Sequence, residues 1–400
     1  MDEPSNVLDV AQVLRSTIDR PEHALHGLME AVDAGQTTAA ASCLRQLPAA
    51  IAKLLPSEWI EKNATALERG DYDPLSPLFA NSKFVGPDGH FLIVAPWVFR
   101  KSRGDVCALA ALFGQVIPHH PTPGIAEAVE DMQGAKLRAP VTPVYPIRIL
   151  SSAGTVKDGW FIVPDAWMWR DSVLGPAFSN ISKKSQVLEE SGAPAMRRMF
   201  DADTAEFLID LLHGERGVAV TFRSYEIHDA GHASGLGLPR KIHDNLIPGY
   251  WYKGVEEWRA DGIGFELGSR LFTVEEAAAD IAANFYARFG LAGITDGTDG
   301  PTEHTPCALL MLDRLLREGH LVAKGERLAL RDPTIRGLVR AMEPQRHEVL
   351  ELTRRELDLV DATSVMRLYG SMSLHPATLV VYESMMRAPT VRYFRPELVS

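Results

Sequence analysis

Residues 224–272 read SYEIHDAGHASGLGLPRKIHDNLIPGYWYKGVEEWRADGIGFELGSRLF, and this stretch decides how the second half of the chain is interpreted. It contains the segment HDAGH, in which His228 and His232 are four residues apart. Histidines at this spacing project from the same face of a helix, one turn apart. Two imidazoles placed in this way can hold one divalent ion at about 2.0–2.1 Å each. The segment therefore predicts a helix with a metal-binding face.

A second cluster, EEWRAD at 256–261, supplies carboxylates at helical spacing. Glu257 and Asp261 are four residues apart, so on a helix both point the same way. We expect Glu257 to be a third metal ligand and Asp261 to accept an imidazole N–H, which would fix the orientation of a ligand histidine. Three protein ligands leave one coordination position for water, as in catalytic zinc sites.

Four glycines accompany the two clusters, and a glycine inside a helix costs about 1 kcal/mol relative to alanine. Their number suggests that another segment must approach the metal-binding face closely. We expect the two helices to pack against each other through Gly231, Gly235, Gly264 and Gly268.

The segments HDAGHASG and EEWRAD resemble the two motifs of the dipeptidyl peptidase III family of gluzincin zinc metallopeptidases. Those motifs are H-E-x-x-G-H followed by G/A-S/T-G, and E-E-x-R-A-E/D. The present sequence differs in a first motif that is one residue shorter, in Asp229 where the family has Glu, and in a shorter gap between the motifs. The resemblance implies a zincin-like, mainly helical metal-binding half. It also implies roles for six residues, with metal ligands His228, His232 and Glu257, general base Asp229, and ligand-orienting carboxylates Glu256 and Asp261.

The implied activity is hydrolysis of an amide or peptide bond in a small molecule or short peptide, with Zn²⁺ or another divalent transition metal as cofactor. Tyr225, three residues before His228, would face the same side of the helix and stabilise an oxyanion. Gluzincins usually place a further side chain over the developing oxyanion. The candidates for that position are His304, His320, His347, His375, Arg367 and Tyr369.

Two other functions remain open from the sequence. In an HD-domain-like metal phosphohydrolase, His228 and Asp229 would both bind metal, helped by His213 upstream and by Asp261 or Asp280 downstream. Alternatively, residues 312–332 resemble the last helix and wing of a winged-helix module, and the chain would be a non-catalytic binding protein with a degenerate metal site.

Length and pattern together predict an α+β protein. Four hundred residues suggest two or three structural units at roughly 100–200 residues each. We expect an N-terminal helical segment over 1–75, a β-rich unit over 76–180 with a turn at Pro87-Asp88-Gly89, and a mainly helical, metal-binding catalytic domain over 181–400. Thr273 and Glu276 fit a capping box that opens a helix, and residues 307–332 predict a helix followed by a hairpin.

Composition limits the partners and the location. The net charge of −11 gives no basic face for nucleic acid, and no run approaches the ~20 apolar residues of a membrane helix. The acidic start MDEPSNVLDV lacks a signal pattern, so we expect a cytoplasmic protein. Cys43, Cys107 and Cys307 form no CxxC pair and indicate neither disulfides nor a thiolate cluster. The oligomeric state is left open.

Overall fold

The structure is a computed structural model, and it describes the following residues: 21–47, 57–69, 90–101, 104–117, 122–133, 144–154, 161–162, 177–180, 188–237, 241, 244–247, 249–291, 304–324, 327–359 and 362–386. The chain divides into two compact units. The first comprises Met1–His119, Tyr145–Arg170 and Gly175–Lys183, and the second comprises His120–Val144, Asp171–Leu174 and Lys184–Ser400. The three-part division of the sequence stays a prediction.

The first unit combines a short helical layer with an antiparallel sheet. Its helices are α1 (Pro21–Asp33), α2 (Thr37–Arg45) and α3 (Ser57–Arg69). The helix α1 has its proline at the first helical position, where a missing N–H costs nothing. It ends before Gly35, whose φ of +66° only glycine adopts without strain.

The sheet of the first unit has five described strands in the order β1-β2-β3-β5-β4. They are β1 (His90–Lys101), β2 (Gly104–Val116), β3 (Val144–Gly154), β4 (Phe161–Ile162) and β5 (Ala177–Asn180). Pro96 lies on β1, which is an edge strand, where a residue without an N–H is tolerated. Ala111, Phe113 and Ala153 of the sheet share one buried cluster with Leu28 and Leu44 of the helices. The predicted turn at residues 87–89 lies outside the described residues.

The second unit is mainly helical and contains the 224–272 stretch. Its helices before that stretch are α4 (Ile125–Gln133), α5 (Ala193–Met199) and α6 (Ala202–Leu212). The two motifs lie on α7 (Gly214–Ala233) and α8 (Tyr250–Leu271), followed by α9 (Val274–Phe285). The remaining elements are α10 (His304–Arg317), β6 (Leu321–Lys324), β7 (Arg327–Leu330), α11 (Ile335–Ala341), α12 (Glu343–Leu357), α13 (Ala362–Gly370) and α14 (Pro376–Met386).

Helical structure with small antiparallel sheets confirms the predicted α+β class. The capping box at the start of α9 is present, because Thr273 Oγ1 accepts from Glu276 N and the Glu276 carboxylate accepts from Thr273 N. The helix and hairpin expected over 307–332 are α10 and the β6–β7 pair. Among the described helices, none is long and apolar enough to cross a membrane.

The helices α7 and α8 approach each other closely at the glycines. A methyl group on Gly231 would lie 2.5 Å from the carbonyl oxygen of Ala260 and 2.8 Å from its Cα. Gly264 of α8 faces the backbone of His228, where a methyl group would find an ordinary contact of 3.5 Å. Gly235 corrects the expectation of a glycine on the helical face, because it follows the end of α7 and adopts a φ of +62° in a turn.

We expect the substitution Gly231→Ala to separate α7 from α8 and to destabilise the fold. An added methyl group against rigid backbone forces displacements that typically cost about 1–3 kcal/mol. The matched control is Gly264→Ala in the same helix pair, which should not lower the melting temperature, because its methyl group fits and alanine is favoured over glycine inside a helix by about 1 kcal/mol. Equal melting temperatures for the two variants would contradict this account of the interface.

Candidate metal centre

The two motifs converge on one point between α7 and α8. The Nε2 atom of His228 lies 3.6 Å from Glu257 Oε2, and the Nε2 atom of His232 lies 3.6 Å from Glu257 Oε1. One ligand atom from each of the three residues lies within 4.8 Å of the others. The side chains of His228, His232 and Glu257 are 20%, 11% and 17% exposed respectively, so the cluster is recessed but retains some exposure to solvent.

Each histidine is oriented by a carboxylate on the opposite side of its ring. His228 Nδ1 lies 2.8 Å from Asp261 Oδ1, and His232 Nδ1 lies 3.1 Å from Glu256 Oε1. The four-residue spacing on α8 places Asp261 one turn beyond Glu257, and Glu256 adjoins Glu257 on the other side. Because both rings use Nδ1 for these hydrogen bonds, both Nε2 atoms are directed at Glu257.

This arrangement fits a divalent metal ion. Tetrahedral coordination with bonds of about 2.0–2.1 Å sets neighbouring ligand atoms about 3.3 Å apart. Each Nε2 atom lies 3.6 Å from its nearer Glu257 oxygen, and one ligand atom from each of the three residues lies within 4.8 Å of the others, so small side-chain adjustments would bring them to that spacing. Two imidazoles and one carboxylate, each imidazole held by an outer carboxylate, form the type of donor set that zinc takes in catalytic sites.

The electrostatic environment of the cluster favours positive charge. Burial alone would lower the pKa of His232, but the carboxylates of Glu257 and Glu256 raise it to about 10. Burial alone would raise the pKa of Glu257, yet His232, His304 and Arg288 hold that pKa well below its ordinary value. Glu257 is therefore an ionised carboxylate surrounded by groups that carry or take up positive charge.

Arg288 is a member of the centre that the sequence did not reveal. It lies in a π-helical segment, Tyr286–Leu291, that directly follows α9. Its Nε and Nη2 donate to Asp261 Oδ2 and Oδ1, both at 2.7 Å, and Nη2 also donates to Glu257 Oε2 at 3.1 Å. Burial opposes ionisation of Asp261, but the guanidinium of Arg288 holds the pKa of that carboxyl well below its usual range.

A second charged group holds Glu256 behind His232. Arg259 donates to both Glu256 oxygens, at 2.7 and 2.9 Å, and Lys241 Nζ donates to Oε2 at 2.6 Å. Burial would raise the pKa of Glu256, but Arg259 and Lys241 keep it well below its ordinary value. Glu256 is thus ionised and can only accept hydrogen bonds, so the Nδ1 atom of His232 must donate.

The remaining predicted residues differ in their placement. Asp229 and Tyr225 are half-buried on α7 beside the ligand histidines. Burial raises the pKa of the Tyr225 phenol above its ordinary value. The nearby Tyr286 and Asp229 raise this pKa further, and Arg288 opposes the rise. Tyr225 is therefore a neutral hydrogen-bond donor. The roles of Asp229 as base and Tyr225 as oxyanion donor stay predictions.

Among the distant candidates for the oxyanion position, His304 lies at the centre. Its Nδ1 is 3.6 Å from Glu257 Oε2 and contacts Arg288. Tyr369 instead belongs to the group around Glu256. His375 serves the start of α14, where its backbone N–H donates to Asp313 and its Nδ1 accepts from Ala377 N.

The structure weighs against the two rival interpretations. His213 is exposed at the N-terminal end of α7, and fifteen residues of helix put it about 22 Å from His228 along the axis. It therefore cannot share an ion with His228 as an HD-type site requires. The helix α10 of the supposed winged-helix module is buried from Thr305 to Leu315 and offers no free face for recognition over that length.

Comparison with protein families gives a match over residues 19–271, more than half of the chain, to a family of unknown function, DUF6014. The chain belongs to this family. A comparison with curated protein sequences found no match.

Two solved structures share the fold of this DUF6014 member. Dipeptidyl-peptidase III from Caldithrix abyssi has a TM-score of 0.61 at 13% identity, covering 90% of this chain and 71% of that chain. The dipeptidyl-peptidase III from Corallococcus sp. strain EGB has a TM-score of 0.55 at 14% identity, covering 95% of this chain and 75% of that chain. At these identities the likeness concerns the fold alone.

The buried carboxyl group of Asp280, on α9, predicts how the stability of the folded protein depends on pH. Burial raises the pKa of Asp280 to about 7, against a hydrogen bond from Ser224 that lowers it. The unfolded chain ionises this group near pH 4, whereas the folded protein keeps it protonated up to about pH 7. The contribution of Asp280 to stability therefore falls as the pH rises from about 4 to about 7, by roughly 1.4 kcal/mol for each pH unit in that interval.

We expect Asp280→Asn to remove that loss, because an amide carries no proton to release. In denaturant unfolding with a chelator present, the free energy of unfolding of the variant relative to the wild type should increase between pH 4 and 7. Above pH 7 the difference between the two free energies should stay constant. The control is Asp210→Asn, at an exposed position of α6. Curves for Asp280→Asn and wild type that stay parallel over the whole range would refute the prediction.

Proposed function

We propose that this chain is a metal-dependent hydrolase, with Zn²⁺ as the favoured ion, that cleaves an amide or peptide bond in a small substrate such as a short peptide. The observation that carries the proposal is the convergence of the His228 and His232 Nε2 atoms on the Glu257 carboxylate. The fold shared with two dipeptidyl-peptidase III structures supports the peptidase class.

His228, His232 and Glu257 would hold the ion, and the outer carboxylates would keep both imidazoles in the required orientation. When bound, a divalent ion of this kind supplies Lewis acidity, which makes water a nucleophile near neutral pH and polarises a carbonyl group. The ionised state of Glu257 and the recessed position of the cluster both suit this chemistry.

Different residues of the chain carry out proton transfer and stabilise the developing charge. Asp229 accepts the proton of the attacking water and delivers it to the leaving group. Its side chain is one methylene shorter than a glutamate, so the substrate must lie correspondingly closer to α7. The neutral phenol of Tyr225 and the side chain of His304 flank the cluster and donate to the negative charge that develops on the carbonyl oxygen.

Metal analysis tests the proposal directly. The purified wild type should contain one zinc per chain, and His228→Ala and Glu257→Ala should lose it, since each removes one of three protein ligands. The matched control is His347→Ala, an exposed histidine on α12, which should keep its metal. A non-catalytic binding protein would instead contain no stoichiometric metal in any of the four forms.

Asp229→Asn separates metal binding from catalysis. This variant should keep its zinc while hydrolysis falls by about 10²–10⁴-fold, the usual contribution of a general base. Dipeptide arylamides are the first substrates to assay, because both structures that share the fold are dipeptidyl peptidases. Unchanged turnover in Asp229→Asn would exclude Asp229 as the base.

A further inference from the structure

Lys241 is a buried cation that touches none of the three proposed metal ligands. It comes from the segment between the two motif helices and is 0% exposed. Its Nζ donates to Glu256 Oε2 at 2.6 Å, to Glu356 Oε1 at 3.0 Å and to the Tyr369 hydroxyl at 2.8 Å. It therefore ties a carboxylate of α8 to side chains of α12 and α13.

The charges around Lys241 are balanced. Lys241 and Arg259 are the two cations of the group, and Glu256 and Glu356 are the two carboxylates. All four side chains are at most 1% exposed. An unpaired charge in such a place is strongly unfavourable, so each of the four members depends on the others.

Besides the Tyr369 hydroxyl, which donates to Glu256 Oε2 at 2.6 Å, Arg259 also holds Glu256. It lies three residues from Glu256 on the same helix, and it divides its donors among Glu256, Ser234 Oγ at 2.8 Å, the Gly231 carbonyl at 2.9 Å and Thr353 Oγ1 at 3.2 Å. Its Nε is 3.5 Å from Glu356 Oε1. Of the two cations, Lys241 lies closer to Glu356, and it comes from the segment between α7 and α8 rather than from α8 itself.

We propose that Lys241 is a positioning residue for the metal centre, which ties the Glu256 carboxylate to α12 and α13 so that Glu256 holds His232 with Nε2 directed at the ion. This inference rests on the proposed function. Without the ammonium group, Arg259 by itself would face Glu256 and Glu356, and the repulsion between the two buried carboxylates would move Glu256 away from His232 Nδ1. The ring of His232 would then lose the hydrogen bond that fixes its orientation, and Nε2 would no longer be held toward the ion.

The test measures zinc affinity by competition with a chromophoric chelator, independently of any turnover. Lys241→Met keeps the length of the side chain and removes its charge, and it should weaken zinc binding about 10–100-fold, the usual cost of losing an outer partner of a ligand histidine. The double variant Lys241→Met/Glu356→Gln restores the balance of one cation and one carboxylate. It should recover most of the lost affinity.

The double variant distinguishes charge balance from packing. If Lys241 only filled space, removing the charge of Glu356 would not restore the zinc affinity that Lys241→Met loses. The matched control is Lys324→Met, which removes an exposed ion pair with Asp201 and should leave zinc affinity unchanged. Near-UV circular dichroism checks that each variant is folded. Where Lys241→Met does not fold, the double variant decides, and it should be folded and bind zinc nearly as the wild type does.

Three outcomes would overturn the inference. They are wild-type affinity in folded Lys241→Met, a double variant as weak as the single one, and a double variant that is unfolded. None of these affects the proposed function as long as the wild type binds zinc. A wild type that binds no zinc in the same assay would defeat the proposed function itself.

Discussion

The contact on which the site depends is the one between Gly231 and the backbone of Ala260. Only a residue without a side chain allows α7 and α8 to meet at this distance. The proximity brings an imidazole pair on one helix to a carboxylate on the other, with both flanking carboxylates of α8 in reach of the ring nitrogens. Close packing and ligand geometry are thus one feature of the molecule.

Each outer carboxylate is held by cations from elsewhere in the unit, and the two sides are built differently. On the His228 side, the planar guanidinium of Arg288 grips Asp261 with two parallel hydrogen bonds. On the His232 side, Glu256 is shared between Arg259 and Lys241. The imidazoles therefore owe their orientation to charged groups that reach the centre from the segment before α8, from α8 itself and from the segment after α9.

The sequence was sufficient for the residues that lie within the two motifs. Helical spacing placed His228 with His232 and Glu257 with Asp261, and it predicted the close helix pair from the glycines. It could not find Arg288, Lys241 or Glu356, because nothing local distinguishes them from surface charges. Their roles come from tertiary packing, because Lys241 is 15 residues from Glu256, Arg288 is 27 residues from Asp261, and Glu356 is 115 residues from Lys241.

In the β-rich part too, the sequence predicts local structure but not long-range packing. Apolar runs with turn residues indicated a β-rich unit over 76–180, and the described strands β1 to β5 lie there. The helix Ile125–Gln133 interrupts them and belongs to the other unit, which the run of apolar residues did not signal. Assignment of a segment to one unit or the other depends on long-range contacts rather than on local propensity.

The length of the first motif has a consequence for the backbone. At about 100° per residue, a four-residue step returns a side chain to within about 40° of its starting direction, whereas a five-residue step leaves it about 140° away. The longer motif of the dipeptidyl peptidase III family thus needs a local widening of its helix to align the two rings, and the present chain does not. Here the widened turn is the π-helical segment Tyr286–Leu291, which contains Arg288, the residue that donates to Asp261. In this protein the irregular turn therefore carries Arg288, whereas His228 and His232 lie on a regular α-helix.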